Sequence, residues 1–163
     1  MKNATTVTAT ARILKNYILV EAGKERWIAR PLASGQSQIT RAISALFSTH
    51  YQLTSENEPA KVLANVHYDP KRDEILVQVE EEKWHTKSSL FGPSTFVFNG
   101  VKYVIQEKIT GRFAILAEDQ VVIQGVCRFR SVMMPEYPPE MERFLGNLAV
   151  GLLVRLLFWE LGF

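Results

Sequence analysis

The sequence predicts a mainly β protein in which a closed antiparallel barrel encloses one hydrophobic helix at the C-terminus. Apolar and polar residues alternate with a period of two through most of the chain, and turn-forming residues separate these runs at the short intervals typical of antiparallel strands. The last twenty residues, FLGNLAVGLLVRLLFWELGF, are instead almost continuously apolar. A helix of this composition needs apolar surroundings on all sides. A closed barrel provides them and also removes exposed strand edges.

The size and composition of the chain fit one ordinary folded domain. We expect a single domain over residues 1–163. A hydrophobic content of 47% is enough for a buried core, which excludes a disordered tail. One cysteine excludes an internal disulfide framework and a zinc site built from several cysteines. The net charge of +2 is too small to indicate nucleic-acid binding by itself.

The first half of the chain predicts hairpins and one short helix. The segment YILVEAGKERWIA forms two strands around a turn at residues 22–24. Apolar residues at helical spacing predict a short helix at about 38–47. A strand marked by Tyr51 and Leu53 follows, and then two strands joined by a polar turn at 69–73. Alternation places the following side chains of these two strands inward: Val62, Ala64, Val66, Tyr68, Ile75, Val77 and Val79.

The clearest alternation lies between residues 94 and 131. Asn99-Gly100 predicts a type I′ hairpin turn, because both residue types tolerate positive φ. A second turn is predicted at 118–120. The side chains predicted to point inward from these strands are Phe96, Phe98, Val101, Tyr103, Ile105, Phe113, Ile115, Ala117, Val121, Ile123, Cys127 and Phe129.

The C-terminal helix is predicted at about 139–161. Its uncharged stretch, residues 144–154, has the length of a buried core helix rather than of a membrane span. Arg155 and Asn147 would each raise the cost of inserting it into a bilayer. Arg155 and Glu160 are five residues apart and do not face each other on a helix, so a buried Arg155 needs a partner elsewhere in the chain. Gly146 and Gly151 would let other backbone approach the helix closely.

Several of these features resemble the tubby C-terminal-like superfamily, which includes tubby proteins, LURP-one-related proteins and phospholipid scramblases. The resemblance covers residues 17–163 and rests on the YILVEAGKERWIA hairpin, the GVKYVIQEKITGRFAILAEDQVVIQGVCRF block and the hydrophobic terminal helix. It implies a barrel of about twelve strands around a central helix. It also implies binding of phosphoinositide headgroups by Lys and Arg on the barrel exterior, as in tubby domains. The chain departs from the scramblase pattern, because it has no cysteine-rich cluster and its 69–73 turn carries Pro and two basic residues where a calcium loop needs oxygen ligands.

Charge is distributed unevenly along the chain. Residues 83–130 hold seven basic residues against three acidic ones, whereas residues 56–82 hold eight acidic residues against three basic ones. Phosphate recognition needs several donors that converge on one place. Strand alternation points five basic side chains of the first segment outward, and we take them as candidate ligands for an anionic headgroup: Lys102, Lys108, Arg112, Arg128 and Arg130. The alternative is a merely solvated basic face.

Other residue patterns give no indication of catalysis or metal binding. His50, His67 and His85 lack the spacing of metal ligands, and Cys127 falls at an inward strand position typical of a buried structural thiol. The chain contains no GxSxG, Walker or GxGxxG motif. We therefore expect no enzyme activity, no catalytic residue, no metal and no cofactor.

The sequence favours a non-enzymatic binding or regulatory module whose partner is an anionic membrane lipid. The alternatives are a protein-interaction domain of unknown biochemical role and a membrane-attached, scramblase-like protein that uses its C-terminal helix. No nucleic-acid partner is expected. The segment MKNATTVTATAR lacks the apolar run of a signal peptide, so a cytoplasmic location, or a peripheral one at a membrane, is expected.

Overall fold

The computed structural model describes residues 6–12, 15–32, 49–80, 82–89, 92–128 and 130–160. The helix predicted at about 38–47 lies outside these residues. The described chain forms thirteen strands, a 3-10 turn at Pro139–Met141 and the helix α1, Glu142–Glu160. The strands are β1 (Val7–Arg12), β2 (Tyr17–Ala22), β3 (Glu25–Pro31), β4 (His50–Ser55), β5 (Val62–Asp69), β6 (Glu74–Val79), β7 (Glu82–His85), β8 (Lys87–Ser89), β9 (Gly92–Phe98), β10 (Val101–Glu107), β11 (Arg112–Ala117), β12 (Gln120–Arg128) and β13 (Ser131–Glu136).

All thirteen strands belong to one antiparallel sheet, which curls into a nearly closed barrel around α1. The order is β7-β6-β5-β4-β3-β2-β1-β13-β12-β11-β10-β9-β8. Neighbouring strands are consecutive in the sequence except for β1 and β13, which pair directly. The mainly β barrel around a C-terminal helix is confirmed, with thirteen strands where about twelve were expected.

The barrel has a seam where its two edge strands, β7 and β8, follow each other in the chain. Thr86 lies between them and is buried. Its backbone N–H donates to the Ile75 carbonyl at 2.9 Å, and its Oγ1 accepts from the Ile75 N–H at 2.9 Å. Trp84 and Phe144 pack against each other beside this seam, with ring centroids 4.2 Å apart. The seam is therefore held by a polar anchor and by aromatic packing against α1.

The predicted hairpin turns are confirmed by their backbone conformation. Asn99 and Gly100 have φ values of 48° and 77°, as a type I′ turn requires. Glu118 and Asp119 also have positive φ, at 51° and 64°. These non-glycine residues accept a left-handed conformation, which is uncommon, because it matches the twist of the strands that they connect.

Alternation placed most inward side chains correctly but failed at three valines. Val62, Val101 and Val121 are exposed rather than inward. Val62 and Val101 are the first residues of β5 and β10, where the chain leaves a turn. At Val121 the pairing of β11 with β12 shifts register, so the period of two is broken there. Phe129 lies outside the described residues.

The helix α1 runs through the barrel and is buried along most of its length. Residues from Leu145 to Val154 are all buried, including the two glycines. The glycines accommodate side chains rather than the backbone that we expected. A Cβ at Gly146 would collide with the Trp27 ring, and one at Gly151 would collide with Ile75. The helix therefore acts as the central part of the hydrophobic core.

Candidate anion-binding surface

All five basic residues predicted to point outward are exposed, but they do not form one cluster. Lys108, Arg112, Arg128 and Arg130 lie at the barrel end where α1 finishes. Lys102 lies at the other end of β10, opposite Val97. At about 3.3 Å per strand residue, this separates it from Lys108 by roughly 20 Å. The structure thus brings four of the five residues to the same end of the barrel and separates the fifth.

Two adjacent hairpins position these four side chains. In the turn between β10 and β11, the Lys108 N–H donates to the Arg112 carbonyl at 2.8 Å. Arg112 lies opposite Val126 in the β11–β12 pair, and Arg128 is two residues further along the same face. Arg112 and Arg128 are therefore diagonal neighbours on the outer face. Arg130 follows in the turn between β12 and β13, with φ 64°.

The β1–β13 pairing adds two basic residues that the sequence analysis missed. The Ala11 N–H donates to the Arg130 carbonyl at 2.9 Å, so the end of β1 lies beside the β12–β13 turn. This contact brings Arg12 and Lys15 next to Arg130. We call the six residues together the basic rim: Arg12, Lys15, Lys108, Arg112, Arg128 and Arg130. The sequence signal for Arg12 and Lys15 was weak, because the apolar positions of the VTATAR strand are one valine and two alanines, which mark a strand less clearly than larger side chains do.

A depression of about 520 Å³ opens at one side of the basic rim, next to Arg12, Lys15 and Arg130. Four basic residues line it, namely Arg12, Lys15, Arg26 and Arg130, together with Ala11, Tyr17 and Leu19. None of these lining residues is acidic. Leu19 faces outward yet is 6% exposed, which fits coverage by the long aliphatic parts of neighbouring basic side chains. The depression therefore combines cationic walls with a partly apolar floor.

Arg155 neutralises the acidic residue nearest to the β10–β11 turn. Its guanidinium donates to both carboxylate oxygens of Glu107, at 2.8 and 2.6 Å, and its Nε lies 3.3 Å from Asp73. Burial alone would lower the pKa of Arg155, but Glu107 and Asp73 outweigh burial and hold it above its ordinary value. The partner predicted to come from elsewhere in the chain is thus found, and Glu107 is not free to pair with the basic rim.

Arg12, Lys15, Lys108, Arg112 and Arg128 make no ion pair within the part of the chain that the structure describes. Arg26, on the side of the depression away from these hairpins, is 3.2 Å from Glu56. The basic rim accordingly has a local excess of positive charge, and this is what attracts an anionic ligand.

Cys127 is partly buried, and two of the three histidines pack against each other. Burial, with Glu107 adding to it, raises the pKa of the Cys127 thiol to about 11, so the thiol stays protonated at neutral pH. His50 and His67 stack with ring centroids 4.3 Å apart. Burial and then the charge of His67 lower the pKa of His50. Within the described ranges, no three His, Cys, Asp or Glu residues are grouped as metal ligands would be.

A second depression, of about 530 Å³, lies at the opposite end of the barrel. Its walls carry both signs of charge, including the Arg26–Glu56 and Arg143–Glu25 ion pairs. The buried Asn147 reaches its lining, and Asn147 Oδ1 has no hydrogen-bond partner among the described residues. Mixed charges favour no single class of ligand here.

Comparisons with protein-family models, with curated proteins and with solved structures each find no match for this chain. Among the described residues, no helix combines the length and the apolar character needed to cross a bilayer.

Proposed function

We propose that this chain is a non-enzymatic binding module that recognises acidic phospholipid headgroups, phosphoinositides included, through its basic rim. The observation that carries this proposal is the convergence of six basic residues from three hairpins at one end of the barrel, where three of them, Arg12, Lys15 and Arg130, line a depression without an acidic lining residue. A headgroup with several phosphates needs many donors on one surface, and Arg supplies them in a fork that matches phosphate oxygens. The resemblance to tubby-like barrels remains a prediction that agrees with this proposal.

The expected free energy of binding is large enough for reversible attachment to an anionic bilayer. Each basic residue close to an anionic bilayer contributes about 1 kcal/mol. Six residues therefore support peripheral binding that weakens strongly as salt is added, because exposed charges are screened over about 8–10 Å.

Vesicle flotation tests the proposal. The full chain is mixed with phosphatidylcholine vesicles, with and without phosphatidylinositol bisphosphate, at low and high salt. We expect binding only to the anionic vesicles, and weakening by about thirtyfold or more in Arg112→Glu/Arg128→Glu, since each replaced cation contributes about 1 kcal/mol. Lys102→Glu is the matched control for each of the single variants Arg112→Glu and Arg128→Glu, because it makes the same charge change on the same sheet but outside the basic rim.

Equal loss of binding in Lys102→Glu and in each of the single variants Arg112→Glu and Arg128→Glu would show that only net charge matters. Absence of binding to any anionic vesicle at low salt would reject the proposal outright.

The alternative of a protein-interaction domain is favoured by one observation. Three exposed valines, Val97, Val101 and Val121, lie near the same end of β9, β10 and β12 as Lys102. Exposed apolar side chains at one end of a barrel can serve as contacts for another protein. The third reading, membrane attachment by the C-terminal helix, is disfavoured by the burial of α1 inside the barrel.

A further inference from the structure

The turn between β10 and β11 carries an isoleucine whose position is explained by no contact with another described residue. Ile109 is completely exposed, more so than any other large hydrophobic residue that the structure describes. Full exposure of a β-branched apolar side chain is unfavourable in water, by an amount proportional to the apolar area left uncovered. The side chain stands at the tip of a turn, between Lys108 and Thr110, both of them also exposed.

The turn that presents Ile109 is firmly supported by the neighbouring strand. The Gly111 N–H donates to the Lys108 carbonyl at 3.0 Å, and the Gly111 carbonyl accepts from the Cys127 N–H at 2.7 Å. Gly111 has φ 89°, and a Cβ there would collide with the Cys127 carbonyl oxygen. The backbone thus holds the tip in one outward position, so little conformational entropy is lost when the tip meets a surface.

The positive charges around Ile109 favour contact with an anionic surface. Lys108 and Arg112 flank Ile109 in sequence, and Arg128 lies on the next hairpin. Glu107, the nearest acidic residue, is held by Arg155. An apolar tip among cations is complementary to an anionic bilayer, where phosphates lie at the surface and acyl chains lie just beneath.

We infer that Ile109 inserts into the acyl-chain boundary of an anionic membrane while the surrounding basic rim contacts the headgroups. This inference rests on the proposed function and extends it. A site for free phosphate or a soluble headgroup would use the cations alone, whereas a bilayer site uses the isoleucine as well.

The experiment compares Ile109→Ser with the unchanged chain on vesicles of phosphatidylcholine and phosphatidylinositol bisphosphate, and on soluble inositol trisphosphate. We expect vesicle binding to weaken by about tenfold, the scale of burying part of one aliphatic side chain, with unchanged binding of the soluble headgroup. Val97→Ser is the matched control, since it removes an exposed aliphatic residue near the opposite barrel end and should leave both affinities unchanged.

Depth is measured independently with a polarity-sensitive fluorophore on a single cysteine. Ile109→Cys and Asn99→Cys are each made in a Cys127→Ala chain, which places the label on turns at opposite ends of the barrel. Brominated acyl chains should quench the label at position 109 and not the label at position 99.

The outcomes separate this inference from the function on which it rests. If charge reversal abolishes vesicle binding but Ile109→Ser binds normally and position 109 is not quenched, the insertion is rejected and the proposed function stands. Binding of inositol trisphosphate without vesicle binding rejects the insertion and indicates a soluble anion as ligand. If neither probe binds, both proposals fail.

Discussion

Arg155 illustrates how one long side chain can close the end of a barrel. Only 21% of its side chain is exposed, and it joins Glu107 at the end of β10 to Asp73 in the β5–β6 turn. Tyr68 extends this group, because its hydroxyl donates to Asp73 Oδ1 at 2.5 Å. Arg155, in the C-terminal part of the buried helix, therefore ties together strands that lie far apart in the order of the sheet.

Replacing Arg155 by Met should destabilise the fold by about 1–2 kcal/mol, because it leaves two carboxylates facing each other without a cation. The partial exposure of Glu107, 42%, keeps this figure below that of a fully buried pair. Urea unfolding measures the effect. Arg143→Met is the control, since the Arg143 side chain is 79% exposed and pairs with Glu25 at the surface, and its loss should cost less than about 0.5 kcal/mol. Equal urea midpoints for the two variants would show that the ion pairs of Arg155 stabilise the fold no more than the surface pair of Arg143 does.

At the scale of the element, the small residues of α1 leave space for side chains of the barrel strands. Gly151→Ala should raise intrinsic helix stability by about 1 kcal/mol, yet we expect a net destabilisation of about 1–3 kcal/mol, because the added methyl group collides with Ile75. A loss of stability in Gly151→Ala would therefore indicate the collision with Ile75, whereas a gain would indicate that helix propensity dominates. Calorimetric or urea unfolding should also show that Gly151→Ala/Ile75→Ala is more stable than the sum of the single effects predicts. Additive effects would indicate that the two residues are not in contact.

Prediction from sequence succeeded for elements that are defined locally. The Asn99-Gly100 turn and the inward position of Ile115 follow from residues within one hairpin, so local reasoning recovers them. The predicted inward position of Val121 was wrong, because the register shift there depends on the partner strand. The partners of Arg155 could be expected to exist but not named, since Glu107 and Asp73 are remote in sequence. Most of the fold was therefore predictable.

The candidate site was less predictable, because the sheet order decides which hairpins share an edge. The separation of Lys102 from Lys108 follows from their six-residue spacing along one strand and could have been predicted, whereas the neighbours of Lys108 on other hairpins depend on the sheet order. Arg12 joins the basic rim only because β1 pairs with β13, a contact between distant segments. The alternation of apolar and polar residues in a strand does not show which distant strand it pairs with.

At the scale of the whole molecule, the barrel should not survive without its helix. A chain ending at Met141 loses the core side chains of α1, such as Leu145, Leu148 and Leu153, and leaves the barrel lining without contacts. We expect loss of the cooperative thermal transition and of near-ultraviolet circular dichroism. A chain ending at Glu160 is the control, because it keeps all of α1. A folded, cooperative product from the shorter chain would mean that the helix is dispensable.

The pairing of β1 with β13 has a consequence for synthesis on the ribosome. The N-terminal strand emerges early, yet the strand beside which it belongs, Ser131–Glu136, and the helix that fills the interior emerge only after nearly all of the sheet. At about 5–20 residues per second, the nascent barrel waits several seconds with its apolar lining uncovered. Association with chaperones during translation, and slow folding governed by long-range contacts, are expected because the helix that fills the barrel follows all of its strands in the sequence.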